Sequence, residues 1–359
     1  MKMRFKLVSV SAPIVALGIS FGLSSLILLV IGKDPLETFQ IMFEYGIRGK
    51  SIVSIINRSI PLYISAIAVA VGFKMGLFNI GVEGQYLMGS LVAAYIGAQF
   101  SVITPLHILL IIIIAVATSS LWAAIAGYLK VEKGIHEVIS TIMLNYIGIG
   151  LIAYSLTTIF DEPNSNYDLP RTKELPETGK MPSLNKFFNI EDLQDLHGFL
   201  VIALIVGFFY YWLVWKTTLG FDLRITGSNP IAAKFSGINP KKLIVIAMIT
   251  SGGFAGLVGL APLLGYFHRY TIDFPTGLGF AGIGVALLGR NHPFGMAVGA
   301  LLFAFLQRSS QILDLNDVPK EIEQMMQAFI LLIVVVFYEV IRRFIVKQQI
   351  KDASKRTDE

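Results

Sequence analysis

Leu106–Leu129 reads LHILLIIIIAVATSSLWAAIAGYL. No Asp, Glu, Lys or Arg interrupts these 24 residues. A helix rises about 1.5 Å per residue, so a run of roughly 20 apolar residues crosses the ~30 Å hydrocarbon core of a bilayer. In lipid a helix satisfies its own backbone, whereas an open sheet cannot. The stretch therefore predicts a membrane-spanning helix, and the runs on either side of it repeat the pattern.

Working outward, further spans are expected at about Ile52–Phe73, Ile80–Ile103, Val138–Phe160, Phe199–Trp215 and Leu243–Tyr266. Two shorter glycine-rich runs lie near Leu278–Leu288 and Phe294–Ile312, and a last span covers about Met325–Val346. At the N-terminus Lys2, Arg4 and Lys6 precede an apolar run from Leu7 to Ile31. That run exceeds the apolar core of a signal peptide and ends in Gly32-Lys33, so it reads as a retained first span. A short amphipathic stretch, 34–50, follows it. The expectation is an all-α, polytopic membrane bundle of about ten transmembrane helices, with broken or short glycine-rich segments, forming one transmembrane domain over 1–359.

Composition agrees. Of 359 residues 54% are hydrophobic and 15% charged, against about 25% charged in a soluble domain. Cysteine is absent, which excludes disulfides, zinc-thiolate sites and thiol nucleophiles. The net charge of +5 concerns membrane sidedness rather than nucleic acid. Lys130, Lys133, Lys216, Arg224, Lys234, Lys241, Lys242, Arg342 and Arg343 fall on one side of the expected spans. The acidic 161–197 segment falls opposite. The positive-inside rule makes 161–197 an extracytoplasmic loop. It makes 216–242 a cytoplasmic loop and 347–359 a cytoplasmic tail, with both termini inside.

Three stretches carry candidate chemistry. Gly76–Gln85, GLFNIGVEGQ, sets Asn79, Glu83 and Gln85 among Gly76, Gly81 and Gly84, with Phe78 and Tyr86 as aromatic neighbours. Two readings fit it. These groups line or brace a permeation path, since an ionisable group at membrane depth must face protein or a cavity. Alternatively they form a polar cytoplasmic loop in which Glu83 is hydrated or paired with Lys74. The second stretch, Arg224–Lys242, carries helix punctuation: Ser228 or Asn229 as a cap, Pro230 at the helix start, and Gly237 and Pro240 as stops. Such a short helix between spans suits a soluble partner, or is an ordinary basic loop. In the third, Gly277–Gly295, Gly279, Gly282, Gly284 and Gly289 predict close packing. His292 there is read as a loop residue, because no second ligand sits at metal spacing. A weak repeat aligns Gly76, Ile80, Gly81 and Val82 with Gly279, Ile283, Gly284 and Val285, and paired interrupted segments point to a transport site.

No phosphate-binding loop of the G-x-x-x-x-G-K-[ST] kind occurs, so the chain is not expected to hydrolyse ATP. His136-Glu137 begins like a zinc-protease helix, but Ser140 stands at the second histidine position. No nucleophile elbow appears. No metal and no cofactor are expected on the chain, and no enzyme activity.

Taken together, GLFNIGVEGQ, TGSNPIAAKFSGI (Thr226–Ile238) and ALLGRNHPFG (Ala286–Gly295) resemble the permease subunits of bacterial ATP-binding-cassette importers of the branched-chain amino acid and ribose type, most closely the nucleoside permeases. The likeness runs from about Pro61 to Ile341. It implies a ten-span fold in a bacterial cytoplasmic membrane, in contact with lipid. It further implies a second, non-identical permease subunit, a cytoplasmic ATPase carrying ATP-Mg, an extracytoplasmic substrate-binding protein, and nucleosides as cargo. It also implies that Thr226, Gly227, Asn229, Pro230, Ala233, Ser236 and Gly237 form the ATPase coupling segment. A sugar or branched-chain amino acid permease of the same architecture, or an ion-coupled secondary transporter, are the alternatives. The last would want a carboxylate at the bilayer midplane, and only Glu83 comes near a span's interior.

Overall fold

The computed structural model describes residues 2–161, 169–185 and 194–357. Helices follow in the order α1 (Lys2–Val30), α2 (Pro35–Gly46), α3 (Gly49–Lys74), α4 (Val82–Gly97), α5 (Thr104–Lys133) and α6 (Glu137–Thr158). After segment 161–197 come α7 (Phe199–Lys216), α8 (Thr218–Ser228), α9 (Pro230–Phe235) and α10 (Pro240–Val258, prolonged by short helical turns to Phe267). The chain closes with α11 (Leu278–Leu288), α12 (Pro293–Ser309) and α13 (Ile322–Thr357). Among the described residues the extended pairings are two isolated bridges, Arg171 with Thr271 and Ser183 with His197. The all-α polytopic expectation holds.

Six described helices are long and apolar enough to cross a membrane: α3, α5, α6, α7, α10 with its extension, and α12 with its 3-10 extension. α1 covers the first expected span, and its end bends by 116° into α2. The remaining expected spans fall on short helices or on the long terminal one. α4 has 16 residues and α11 has 11. The last expected span lies within α13, which continues as helix through the tail to Thr357.

The chain divides into two units. In the first, 1–48 with 305–359, α1 runs beside α13 and α2 packs on the 3-10 turn Ser310–Asn316. There Tyr45 lies between the guanidinium groups of Arg48 (5.5 Å) and Arg308 (4.9 Å), a cation–π arrangement.

The second unit, 49–304, holds the polar stretches. α3 is its core helix: 78% of its apolar window is buried, against 22% for α5, whose remaining surface suits lipid. α10 packs along α5, α3 and α4. Gly252 and Gly256 permit this approach, since a Cβ on Gly252 would lie 2.6 Å from the Ser119 carbonyl oxygen and one on Gly256 2.5 Å from that of Ala115. This is the small-residue packing by which membrane helices associate.

The described part of segment 161–197 docks on the end of α10 through its backbone. Thr172 N donates to Tyr270 O (2.9 Å), Leu175 N to His268 O (2.8 Å) and Met181 N to Leu264 O (2.9 Å). His107, at the start of α5, reaches Thr178 Oγ1 and Gly97 O at 2.9 Å each. Asn57 of α3 holds the segment's far end, donating to Asp195 O (2.7 Å) and accepting from His197 N (3.0 Å). Glu174 pairs with Lys180 (2.8 Å) and with Arg269. The hydrogen bond from Lys180 chiefly holds the Glu174 carboxyl below its ordinary range. Of the acidic residues expected in this segment, Glu162, Asp168, Glu191 and Asp192 lie outside the described residues.

Candidate functional site

α3 ends at Lys74 and α4 begins at Val82, so the chain between them crosses GLFNIG without helical bonds. Gly76 turns the chain at φ +73°, a conformation side chains disfavour. A non-helical backbone at membrane depth must find partners in protein, and neighbouring side chains supply them.

Asn79 and Gln85 pair amide to amide at 3.0 Å in both directions. Asn79 Oδ1 also accepts from Gly81 N (3.0 Å), and its Nδ2 donates to Ser251 Oγ of α10 (2.8 Å). Ser251 in turn donates to Ala68 O of α3 (2.6 Å), and Ser119 of α5 to Gln85 O (2.7 Å). Asn145 of α6 spans the break from the other side: its Oδ1 accepts from Gly84 N (2.9 Å) and its Nδ2 donates to Ile80 O (3.0 Å). Glu137 at the start of α6 accepts from Phe78 N (3.3 Å) and pairs with Lys130. Asn79, Gln85, Asn145 and Glu137 are all buried. Phe78 keeps a partly open ring, tilted against Phe73 at 5.1 Å.

Glu83 does not pair with Lys74. Its carboxyl group accepts from Gly277 N (2.6 Å) and Gly279 N (2.8 Å), the first amides of α11, and meets the Tyr86 hydroxyl at 3.0 Å. Pro275 O lies 2.8 Å from the same hydroxyl, so its one proton is shared between the carboxyl group and this carbonyl. Free N–H groups and the helix dipole make a helix N-terminus a site for a carboxylate. Gly279 lets α4 come this close: a Cβ there would lie 2.5 Å from Glu83 N. The lysine instead lies over the Trp215 ring at 4.9 Å.

Gly282 packs on Ser65, whose hydroxyl donates to Leu278 O (2.8 Å). Gly84 faces Asn145, and Gly289 faces Gly295–Met296 across the α11–α12 turn. Gly284 is buried in α11. The aligned glycines of the repeat differ locally, Gly76 in a left-handed turn and Gly279 inside a helix. His292 sits against Trp215 (5.6 Å) and Tyr211 (6.3 Å). Among the described residues no group of acids and histidines could hold a metal.

The stretch between Lys216 and Lys242 forms α8 and α9. Asn229 caps α9, accepting from Ile231 N (3.1 Å) and Ala232 N (3.0 Å), with Pro230 in the first turn. Ser228 donates instead to Arg224 O (2.9 Å). Thr226 and Ala233 are buried, Ser236 ends the helix, and Gly237 turns at φ +82°. Ile231 and Phe235 of α9 stand exposed.

The sequence reading missed Asn145, Ser251, Ser119 and Glu137. Asn145 is a single amide in an apolar run, and Ser119 and Ser251 belong to short hydroxyl groups, Thr118–Ser120 and Thr250–Ser251, inside apolar runs, which is the only signal they give.

Residues 51–335 match the family model described as branched-chain amino acid transport system / permease component. The chain belongs to this family. It is similar to the guanosine ABC transporter permease protein NupP of Bacillus subtilis, 33% identical over 91% of this chain and 93% of that one. The nucleoside ABC transporter permease protein NupB of Lactococcus lactis is 31% identical, with 93% of each chain covered. The glucose ABC transporter permease protein TsgB13 of Haloferax volcanii is 26% identical, over 90% of this chain and 86% of that one. The protein is thus a multi-pass membrane permease component, a transport subunit.

Proposed function

We propose that this chain is the permease subunit of an ATP-binding-cassette importer of nucleosides. The observation that carries the reading is similarity along nearly the whole chain to two permeases named for guanosine and nucleosides. In this reading 1–359 is one transmembrane permease domain, with 161–197 outside and 216–242 and 347–359 in the cytoplasm, as the lysine and arginine bias indicates. The chain pairs with a second, non-identical permease in a cytoplasmic membrane. A separate ATPase binds and hydrolyses ATP-Mg, and an external binding protein delivers the cargo.

The geometry supports a bracing role for most of the polar block. Asn79 and Gln85 hold each other, and Glu83 holds α11, so these groups keep a broken span rigid beside the path. Phe78 is the aromatic with an open ring, suited to stack on a base, a contact worth about 1–3 kcal/mol where measured. Alternating access then follows from moving the braced break as a unit.

A sugar permease is the second reading, favoured by the likeness to the glucose permease. The two separate cleanly in proteoliposomes holding both permeases and the ATPase, with binding protein outside. Labelled guanosine should accumulate only with ATP inside. Accumulation of glucose or a branched-chain amino acid without nucleoside uptake would refute the nucleoside reading. ATP hydrolysis by this chain alone would refute the subunit assignment.

A further inference from the structure

Gly227 lies one residue before the end of α8, and its backbone rests on the end of α3. A methyl group on Gly227 would collide with the Lys74 carbonyl oxygen, 2.7 Å from the Met75 carbonyl carbon and 2.9 Å from Gly76 N. From the other side, a Cβ on Gly76 would stand 3.2 Å from Gly227 O. Two bare backbones therefore touch with no side chain between them. Around the contact Met75 and Leu77 of the turn share one buried apolar cluster with Leu223 of α8 and Leu243 and Met248 of α10. Gly237, nine residues beyond α8, offers the contrast, since a Cβ there would meet nothing within 4 Å.

Contacts between bare backbones transmit displacement well. Repulsion rises steeply at such distances, and no flexible side chain is present to absorb the movement. Packed elements shift between discrete arrangements rather than deform continuously. From this turn the chain runs straight through the break to Glu83, and Glu83 holds the first amides of α11.

We infer that α8–α9 and the turn Lys74–Leu77 move as one body, with Gly227 the positioning residue that carries displacement of α9 to the start of α4 and on to α11. The inference rests on the importer reading and names the joint through which the ATPase would act.

The test uses the whole importer in proteoliposomes, with nucleoside uptake and ATP hydrolysis measured in the same vesicles. With Gly227→Ala the ATPase should still copurify and hydrolyse ATP. Uptake per ATP should fall by at least about fivefold, the lower bound for coupling between two-state elements. Leu223→Ala loosens the same cluster without touching either glycine, and the same ratio should fall. A smaller fall in both variants overturns the inference. So does loss of ATPase copurification with Gly227→Ala, which would make Gly227 part of the docking surface instead. Should Gly227→Ala not be recovered from membranes, Leu223→Ala decides alone. A native complex that takes up no nucleoside with ATP sinks the importer reading itself, and that result is read before any variant is compared.

Discussion

Replacing Glu83 tests how the break is held. In the native chain its carboxyl group takes two backbone N–H donors, at 2.6 Å from Gly277 and 2.8 Å from Gly279. Glu83→Ala leaves the buried Gly279 donor without an acceptor and removes the bond to the more exposed Gly277 N–H. An orphaned buried donor costs about 1–3 kcal/mol and a lost exposed bond about 1 kcal/mol, so the expected loss is about 2–4 kcal/mol. The removed group's own desolvation cost offsets part of this, which pulls the value toward the lower end. Glu83→Gln keeps one acceptor oxygen and turns an N–H₂ toward the other donor, so about 1–3 kcal/mol should be lost. Tyr86→Phe, which removes the hydroxyl contacts to Glu83 and Pro275 O and leaves the ring, should cost about 1–2 kcal/mol. Unfolding of the purified chain in mixed micelles, titrated with SDS, reads all three on one scale. Stability should fall in the order native, Tyr86→Phe or Glu83→Gln, Glu83→Ala. An alanine variant as stable as the native chain would show that α11 does not depend on this cap.

Two further outcomes follow. Because the chain has no cysteine, single substitutions label cleanly: Glu177→Cys should react with an impermeant reagent from outside and Lys234→Cys only from the cytoplasm, and the reverse pattern would invert the topology. The Glu174–Lys180–Arg269 cluster should tie segment 161–197 to the end of α10 over a defined pH range. Glu174 is depressed chiefly by its hydrogen bond from Lys180, so its contribution is present above about pH 4.3 and lost as pH falls through the lower folded value. Lys180 is raised chiefly by Glu174, so its contribution is present below about pH 10.4 and lost as pH rises through the higher folded value. Exposure limits the effect to about 1 kcal/mol or less. Hydrogen exchange at Leu175 N–H, corrected for intrinsic rates, should quicken at about pH 3.5 relative to pH 7. Equal protection at both would refute it, and Glu174→Gln should flatten the difference.

What the sequence disclosed was local. Apolar length located α3, α5, α6, α7 and α10, because crossing a bilayer needs only the residues of the run itself. Asn229-Pro230 announced α9, since a cap acts two or three residues away. The bracing of the break could not be read this way. Gly84 meets Asn145 across 61 positions and Asn79 meets Ser251 across 172. Asn145 and Ser251 are small polar groups in otherwise apolar helices, and nothing in their neighbours names the partner. Glu83 was harder still, because its partners are backbone amides, which every residue but proline carries. That ambiguity left a polar cytoplasmic loop, with Glu83 hydrated or paired with Lys74, standing level with a group that lines or braces a path. The aligned glycines are ambiguous for a related reason: glycine serves both a left-handed turn, as at Gly76, and tight helix contact, as at Gly279, and the letter does not say which.

The cap on α11 also sets a schedule for biogenesis. Glu83 and the amide of Gly277 lie 194 residues apart. At roughly 5–20 residues per second of synthesis, about 10–40 s separate the emergence of the carboxylate from that of its partner. Through that interval α4 must leave the ribosome and wait at the insertion machinery with its acid unanswered. The first half of the protein therefore cannot settle before the second arrives, and a chain arrested anywhere short of residue 277 should remain in the care of the translocon or be cleared by membrane proteases.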